Sequence, residues 1–411
     1  MKTLTGNCVV AQSGGPTAVI NSSVYSVFLE ASKNHDCITN IYAAKNGILG
    51  IINTDMFDLG KEDPIQMELL KSTPSSALGS CRYKLKDIEN DDTDIKKIFD
   101  AFEKYNIRYF FYIGGNDSQD TADILDKYSK KIGYDIRIIG IPKTIDNDLV
   151  ETDHCPGFGS AAKHVATSIL EIARDADTYN SNIVTIVEVM GRDAGWLTAS
   201  SVLANRDLGA PDLIYVPEVP FSLEKYYEDV KQLVKNKGKV LIAVSEGIKD
   251  DTGKYILEAA PTMHDSFGHA QLGGVASFLG SFTKANIEKR VKSIEFNVMQ
   301  RAAAHLLSAT DVEEACMVGE KAVQYAVEGY SGYMVALHRE CQNPYKSTAK
   351  LVELSKVADR KKSIPRAWIN YEGNYVTNEF IDYIAPLVSE RVQVPEVNGL
   401  PIYAKLKKVP V

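Results

Sequence analysis

Short apolar runs alternate along this chain with longer stretches whose apolar positions recur at helical spacing. Residues 7–12 (NCVVAQ) form the first such run and predict a strand. Residues 17–33 follow, with Val19, Ile20, Val24, Val27 and Phe28 on one helical face. The alternation continues with a helix over 94–105, a strand over 109–113 (YFFYI), a helix over 120–131 and a strand over 136–141 (IRIIGI). A longer helix over 159–175 comes next, then a strand over Ile183–Val189, a helix over 223–235 and a strand over 240–244. Strands alternating with helices of this length predict an α/β protein with parallel, doubly wound sheets. No internal repeat, low-complexity tract or Gly/Ser linker interrupts the pattern.

The strand ends share a feature. The first runs into SGGP (13–16), the second into GGNDS (114–118) and the third into PKTIDND (142–148). Two later strands run into MGRD (190–193) and SEG (245–247). Glycine-rich and charged loops thus gather at the carboxyl ends of predicted parallel strands, where open α/β sheets bind ligands.

Composition narrows the class. A length of 411 residues suggests two or three domains at roughly 150 residues each. Apolar residues make up 45% of the chain, yet no run approaches the ~18 needed for a membrane span. The first residues also lack an apolar run of signal-peptide length. Six cysteines lie scattered without a C-x-x-C pair, which fits free thiols in a reducing, cytoplasmic setting. With 46 basic and 54 acidic residues the net charge is −8, opposite to the usual bias of a nucleic-acid binder. An anionic substrate would therefore need a local basic pocket, because the overall field repels it.

The loops carry candidates for such chemistry. Gly14 and Gly15 let backbone approach a ligand at a helix start, where free N–H groups suit phosphate. The spacing matches neither G-x-G-x-x-G nor the P-loop pattern. Asp117, between Asn116 and Ser118, either coordinates Mg²⁺ or caps the helix that follows. In PKTIDND, Asp146 and Asp148 are one residue apart and face the same way if the segment is extended. A carboxylate there can accept the proton of an attacking sugar hydroxyl. Lys143 and Thr144 supply a cation and a hydroxyl for the oxygens of a transferring phosphoryl group. Arg192 in MGRDAG suits a bidentate grip on phosphate, and Arg82, Lys84, Lys86, Lys292 and Arg301 offer further positive charge.

Taken in order, SGGP, GSCRYK, GGNDS, PKTIDND, TDHCPGFGSAA, EVMGRDAGWL, PEVPF, SEG and NVMQRAA resemble the landmarks of the phosphofructokinase family, and more narrowly its diphosphate-dependent members. The resemblance runs from about Asn7 to about Gly332. It implies two Rossmann-like three-layer domains with mostly parallel sheets and an active site in the cleft between them. Residues 1–157 with about 300–350 would form the donor domain, and about 158–299 with 351–411 the sugar-phosphate domain. By the same resemblance, Asp146 is the base for the C1 hydroxyl of fructose 6-phosphate, Asp148 positions that hydroxyl or helps with Mg²⁺, and Thr144 contacts the transferring group. Met190, Gly191 and Arg192 would line the sugar-phosphate site, Glu246 would hold sugar hydroxyls, and Lys292 and Arg301 would take the 6-phosphate. Gly14, Gly15 and the Arg82, Lys84 and Lys86 run would face the donor, together with Asn116, Asp117 and Ser118. The family also implies a homodimer or homotetramer acting in glycolysis.

Two positions bear on the donor. ATP-using relatives typically carry glycine where this chain has Asp117 and Lys143. A carboxylate in the glycine-rich loop occupies the space of a nucleotide α-phosphate, whereas Lys143 suits a small diphosphate. The alternatives are an ATP-dependent enzyme of the same family and a non-catalytic sugar-phosphate sensor, which would have no need of the Asp146 base.

Overall fold

Tyr109, Phe110, Phe111, Tyr112 and Ile113 lie almost wholly buried in the middle of a strand, as their apolar, aromatic-rich sequence predicts. The computed structural model describes residues 4–85, 91–206, 208–257, 273–358 and 360–411. In chain order the strands are β1 (Gly6–Gln12), β2 (Ile38–Ala44), β3 (Met56–Asp58), β4 (Ile107–Gly114), β5 (Arg137–Pro142) and β6 (Ile183–Val189). They continue with β7 (Leu213–Tyr215), β8 (Lys239–Ser245), β9 (Val291–Glu295), β10 (Tyr333–Gln342) and β11 (Tyr345–Glu353), before a small hairpin near the carboxyl end. The longer helices among the described residues are α1 (Ile20–Lys33), α2 (Thr93–Lys104), α3 (Asn116–Ile132), α4 (Phe158–Asp177), α5 (Leu223–Lys237), α6 (Val275–Asn286) and α7 (Ala309–Glu328).

The chain divides into two compact units: Met1–Ser160, Arg301–Lys361 and Glu390–Val411 form unit 1, and Ala161–Gln300 with Lys362–Ser389 form unit 2. Unit 1 is built on a seven-stranded sheet in the order β11-β10-β5-β4-β1-β2-β3. Its five inner strands are parallel, and β3 and β11 close the edges antiparallel. Strand alternation splits its core in two. Cys8, Val10, Phe111 and Ile139 pack with Val24 and Val27 of α1 and Ala322 and Val323 of α7. Val9, Ala11, Phe110 and Ile138 pack on the other side with Ile98 and Phe102 of α2 and Leu125 of α3. Helices therefore cover both faces, which is what lets the strands be apolar at successive positions.

Unit 2 has a four-stranded parallel sheet, β7-β8-β6-β9. Val184, Ile186, Ile242 and Val244 pack against Tyr226 and Val230 of α5 and Ala276 and Leu279 of α6. Ser222 caps α5 by accepting the Lys225 N–H, and Gly238 ends that helix at φ +75°. No helix among the described residues is long and apolar enough to cross a membrane.

Two expectations change here. The helix expected over 120–131 begins at Asn116, so Asn116, Asp117 and Ser118 occupy its first turn and are not a loop before it. The tail does not stay with the second unit. Its residues up to Lys361 belong to unit 1 because β11 pairs along β10, which in turn pairs with β5. Residues from Glu390 onward belong there as well: Lys407 and Lys408 N–H groups donate to Glu62, and the Asp58 backbone N–H donates to the Val409 carbonyl. Only Lys362–Ser389 joins unit 2, where Trp368, Phe380 and Tyr383 pack edge-on or tilted around Trp196.

Candidate active site

Within unit 1 the carboxyl ends of β1, β4 and β5 lie side by side, which brings three of the five loops together. The SGGP turn follows β1. Gly14 has φ +73°, and its N–H donates to the Cys81 carbonyl at 3.0 Å while its own carbonyl accepts from the Ser80 hydroxyl at 2.6 Å. A side chain on Gly14 would meet Lys143 Nζ at 3.4 Å, and one on Gly15 would meet Arg301 Nη1 at 3.0 Å. Gly14 thus suits its left-handed backbone, and two cations lie close over the diglycine.

Lys143 is the centre of that approach. It follows directly on β5, its backbone N–H donates to the Gly114 carbonyl at 3.1 Å, and its side chain is almost fully buried. Nζ donates to the Gly15 carbonyl at 2.6 Å. Burial pushes its pKa down to about 8; Asp146 opposes that shift, Arg301 and Arg82 reinforce it, and Asp148 again opposes it. Lys143, Arg301 and Arg82 therefore make a local positive site in a chain of net charge −8. Arg82 and Lys84 are exposed, and Lys86 lies outside the described residues.

The two aspartates are not on one face of an extended segment as expected. Asn147, between them, adopts φ +53°, and Asp146 N–H donates to Thr144 Oγ1 at 3.0 Å, so 144–148 is a tight turn. Short polar side chains tolerate that left-handed conformation, and Asn147 Oδ1 is further held by the Cys155 N–H at 3.1 Å. Asn116 Nδ2, at the start of α3, donates to Asp148 Oδ2 at 2.9 Å. That bond orients one carboxylate and ties the second loop to the third. Ser118 hydrogen-bonds Ser13 through their hydroxyls, and a side chain on Gly114 would collide with Ser118 Oγ at 1.9 Å. Asp117, half-buried in the first turn of α3, adds a third carboxylate to this end of the unit.

Unit 2 carries its own group. Gly191 N–H donates to Glu246 Oε1 at 3.2 Å, and the Ser245 hydroxyl donates to the Gly191 carbonyl. Gly191 has φ +141° and a side chain there would meet the Ala194 carbonyl at 2.6 Å, so only glycine fits. Met190 N–H donates to Gln300 Oε1 at 3.1 Å. Arg192 Nε donates to Asp193 Oδ2 at 3.2 Å. The carboxyl ends of β6 and β8 thus bring Met190, Gly191, Arg192 and Glu246 together.

Lys292 does not join them. On β9 it is level with Thr185 of β6, five positions before Met190, or about 16 Å back along the sheet at about 3.3 Å per residue. There its Nζ pairs with Asp175 Oδ2 at 2.5 Å, exposed to solvent. Arg301, expected beside Lys292, belongs to unit 1 and stands against Gly15. Pattern reading missed Gln300 and also Glu218, whose Oε1 accepts the Gly195 N–H at 2.9 Å and so braces the MGRDAG loop. Gln300 had a signal, since it directly precedes Arg301 in NVMQRAA; Glu218 had none beyond PEVPF.

Among the described residues no group of three or more His, Cys, Asp or Glu side chains could hold a metal ion. A hard cation that takes one or two carboxylates and completes its shell with water and phosphate oxygens needs no such cluster, and the carboxylates of Asp117 and of Asp148, the latter oriented by Asn116, are of the right kind.

Known proteins match nearly the whole length of this chain. The phosphofructokinase family matches residues 7–326. The pyrophosphate–fructose 6-phosphate 1-phosphotransferase of Halomonas elongata is 42% identical over 405 residues, covering 98% of this chain and 96% of its own. A protein of the same name from Xanthomonas campestris is 42% identical over 412 residues, covering 99% and 97%. The crystal structure of a pyrophosphate-dependent phosphofructokinase from Marinobacter aquaeolei aligns with a TM-score of 0.90 at 38% identity, across 99% of this chain and 97% of that one.

Proposed function

The chain belongs to the phosphofructokinase family, and from that premise we infer that it is a phosphotransferase using inorganic diphosphate. It moves a phosphoryl group reversibly from diphosphate to the C1 hydroxyl of fructose 6-phosphate, giving fructose 1,6-bisphosphate and phosphate. The observation that carries the reading is the cationic group of Lys143, Arg301 and Arg82 around the Gly14–Gly15 turn, with the Asp146 and Asp148 carboxylates beside it. Such a group holds a small, highly charged donor and places the base next to it.

Asp146 takes the proton of the C1 hydroxyl as its oxygen attacks the near phosphorus; the bridging P–O bond breaks and its electrons leave with phosphate. Lys143 offsets the charge that grows on that leaving group, and Thr144 donates to an oxygen of the transferring group. Asp148, oriented by Asn116, holds the hydroxyl in line. Met190, Gly191, Arg192 and Glu246 hold the sugar phosphate. Asp117 and Asp148 would hold Mg²⁺, which would supply charge neutralisation at the phosphates. Gly14, Gly15, Arg82, Lys84, Lys86, Asn116, Asp117 and Ser118 serve the donor, and Arg301 is a phosphate-binding cation of the same group. Lys292, at the far end of its sheet from Met190, serves the site of a neighbouring subunit, which makes a homodimer or homotetramer part of the proposal. Light scattering reads that assembly. The reaction belongs to cytoplasmic glycolysis.

A coupled assay with a single donor tests the reading. Diphosphate should support turnover of fructose 6-phosphate, and ATP should not. Turnover with ATP that exceeds turnover with diphosphate would reject the donor assignment, and no turnover with either would leave a sugar-phosphate sensor.

A further inference from the structure

Behind the loops that face substrate, unit 1 holds a buried ionic network that takes no part in the chemistry above. His154 is 1% exposed, with Nδ1 2.8 Å from Asp153 Oδ1 and Nε2 2.5 Å from Glu314 Oε2. Glu314 Oε1 accepts from the Tyr345 hydroxyl at 2.5 Å and the Ser347 hydroxyl at 2.6 Å, and Arg339 donates to Asp153 Oδ1 at 2.9 Å. With a carboxylate at each nitrogen, both must donate, so the ring is an imidazolium. Burial pulls its pKa down, but Glu314 and Asp153 outweigh burial and carry it to about 9.

Buried ion pairs seldom stabilise a fold more than apolar side chains of the same volume, so stability alone is a poor account of this network. Its place in the chain offers a better one. Cys155, next to His154, donates its N–H to Asn147 Oδ1, and the Pro156 carbonyl accepts the Thr144 N–H at 3.2 Å. Gly157 bridges Thr144 in a parallel pair, and the Gly157 and Ser160 N–H groups donate to Asp311 Oδ1 and Oδ2 at 2.8 and 2.9 Å. Segment 155–157 is thus stitched to the turn that carries Asp146 and Asp148, and it is held at one end through His154 and at the other by Asp311. Both holds come from α7, where Asp311 and Glu314 are three residues apart and share a face.

We propose that Glu314, acting through His154, and Asp311 are positioning residues, which fix the 144–148 turn and its two carboxylates from the first turns of α7. The proposal rests on the reading that Asp146 accepts the substrate proton. The test compares Glu314→Ala with Glu314→Gln, whose amide can still accept from Tyr345 and Ser347 while donating to a neutral ring. Glu314→Ala should lower kcat about tenfold or more with the KM of each substrate within about threefold, as expected when reacting groups are displaced rather than binding lost. Glu314→Gln should stay within about threefold of wild type in kcat. A folded Glu314→Ala enzyme with unchanged kcat overturns the proposal, and so does a Glu314→Gln enzyme as slow as Glu314→Ala, since charge and not position would then matter. Should Glu314→Ala fail to fold, amide exchange in the wild-type enzyme decides: peptides covering 144–157 must exchange as slowly as those of β4 and β5, and rapid exchange overturns the idea. Asp146→Ala, assayed alongside, separates the two readings. If it stays active the base assignment fails, whereas an inactive Asp146→Ala beside a fully active Glu314→Ala sinks only the positioning role.

Discussion

The Lys143 ammonium donates to the carbonyl oxygen of Gly15 at 2.6 Å, so a residue after β5 closes directly on the turn after β1. Burial gives this lysine a pKa of about 8, far below that of a solvated one, with Arg301 and Arg82 adding to the effect and Asp146 opposing it. Its charge is therefore lost as pH rises through about 8. As pH rises through about 8 in the free enzyme, kcat/KM for diphosphate should fall. Lys143→Arg, which stays charged, should lack that limb in a pH–rate profile, whatever its absolute rate.

Donor choice is a second consequence. Lys143 fills the space beside Gly14, and Asp117 adds negative charge in the first turn of α3. Replacing both by glycine should open the site to ATP, giving measurable ATP-driven turnover while diphosphate turnover falls about a hundredfold or more. The coupled single-donor assay reads both numbers. A folded double variant without ATP turnover would show that another group excludes the nucleotide.

The turn chemistry predicts graded losses. Asp146→Asn should lower kcat by roughly 10²- to 10⁴-fold, the range for removing a general base. Asn116→Ala removes the hydrogen bond to Asp148 Oδ2 and leaves the base in place, so a loss of about tenfold in kcat is expected. Steady-state kinetics on the two variants, with melting temperatures to confirm folding, test this order; equal losses would contradict it.

The imidazolium of His154 makes stability depend on pH. Its folded pKa of about 9 lies above the ordinary histidine value of 6.5, so the folded state binds more protons than the unfolded state between them. The contribution is complete below about 6.5 and is lost as pH rises through about 9. Facing groups are Asp153 and Glu314, with Arg339, Tyr345 and Ser347 behind them. Asp153, held down to about 2 against its burial by the His154 hydrogen bond, keeps its charge throughout that window. Calorimetry should show the melting temperature of wild type falling between those limits more steeply than that of Glu314→Gln.

Lys292 invites a subunit-mixing test. It sits near the opposite end of its own sheet from Met190 and Glu246. If it serves a neighbour, inactive Asp146→Ala and impaired Lys292→Ala subunits should restore activity when denatured and refolded together. Mixtures no more active than the sum of the two parents would return Lys292 to a surface role beside Asp175.

Much of this was legible locally. Short apolar runs located β1, β4, β5, β6 and β8, and helical spacing located α1, α2, α3, α4 and α5, because apolar spacing reports which face of an element is buried. They also put the glycine-rich and acidic loops at strand ends. The pattern was silent on β2, β3, β7, β9, β10 and β11, and it started α3 four residues late, because Asn116, Asp117 and Ser118 read as turn residues until their helical first turn is seen.

What the amino-acid sequence determined by itself was the kind of chemistry: two carboxylates, a lysine and a threonine after a buried strand, with paired glycines after another. Which groups meet was decided only in three dimensions. Strand order put the ends of β1, β4 and β5 side by side, and that packing buried Lys143, drew Arg301 to Gly15 and tied Asn116 to Asp148. It also bent Asp146 and Asp148 around a left-handed Asn147 and carried Lys292 to the wrong end of its sheet for its own unit's site. Local spacing sets which way a side chain faces within one element, whereas the pKa of Lys143 and the charge of His154 depend on burial and on partners that chain order does not place nearby.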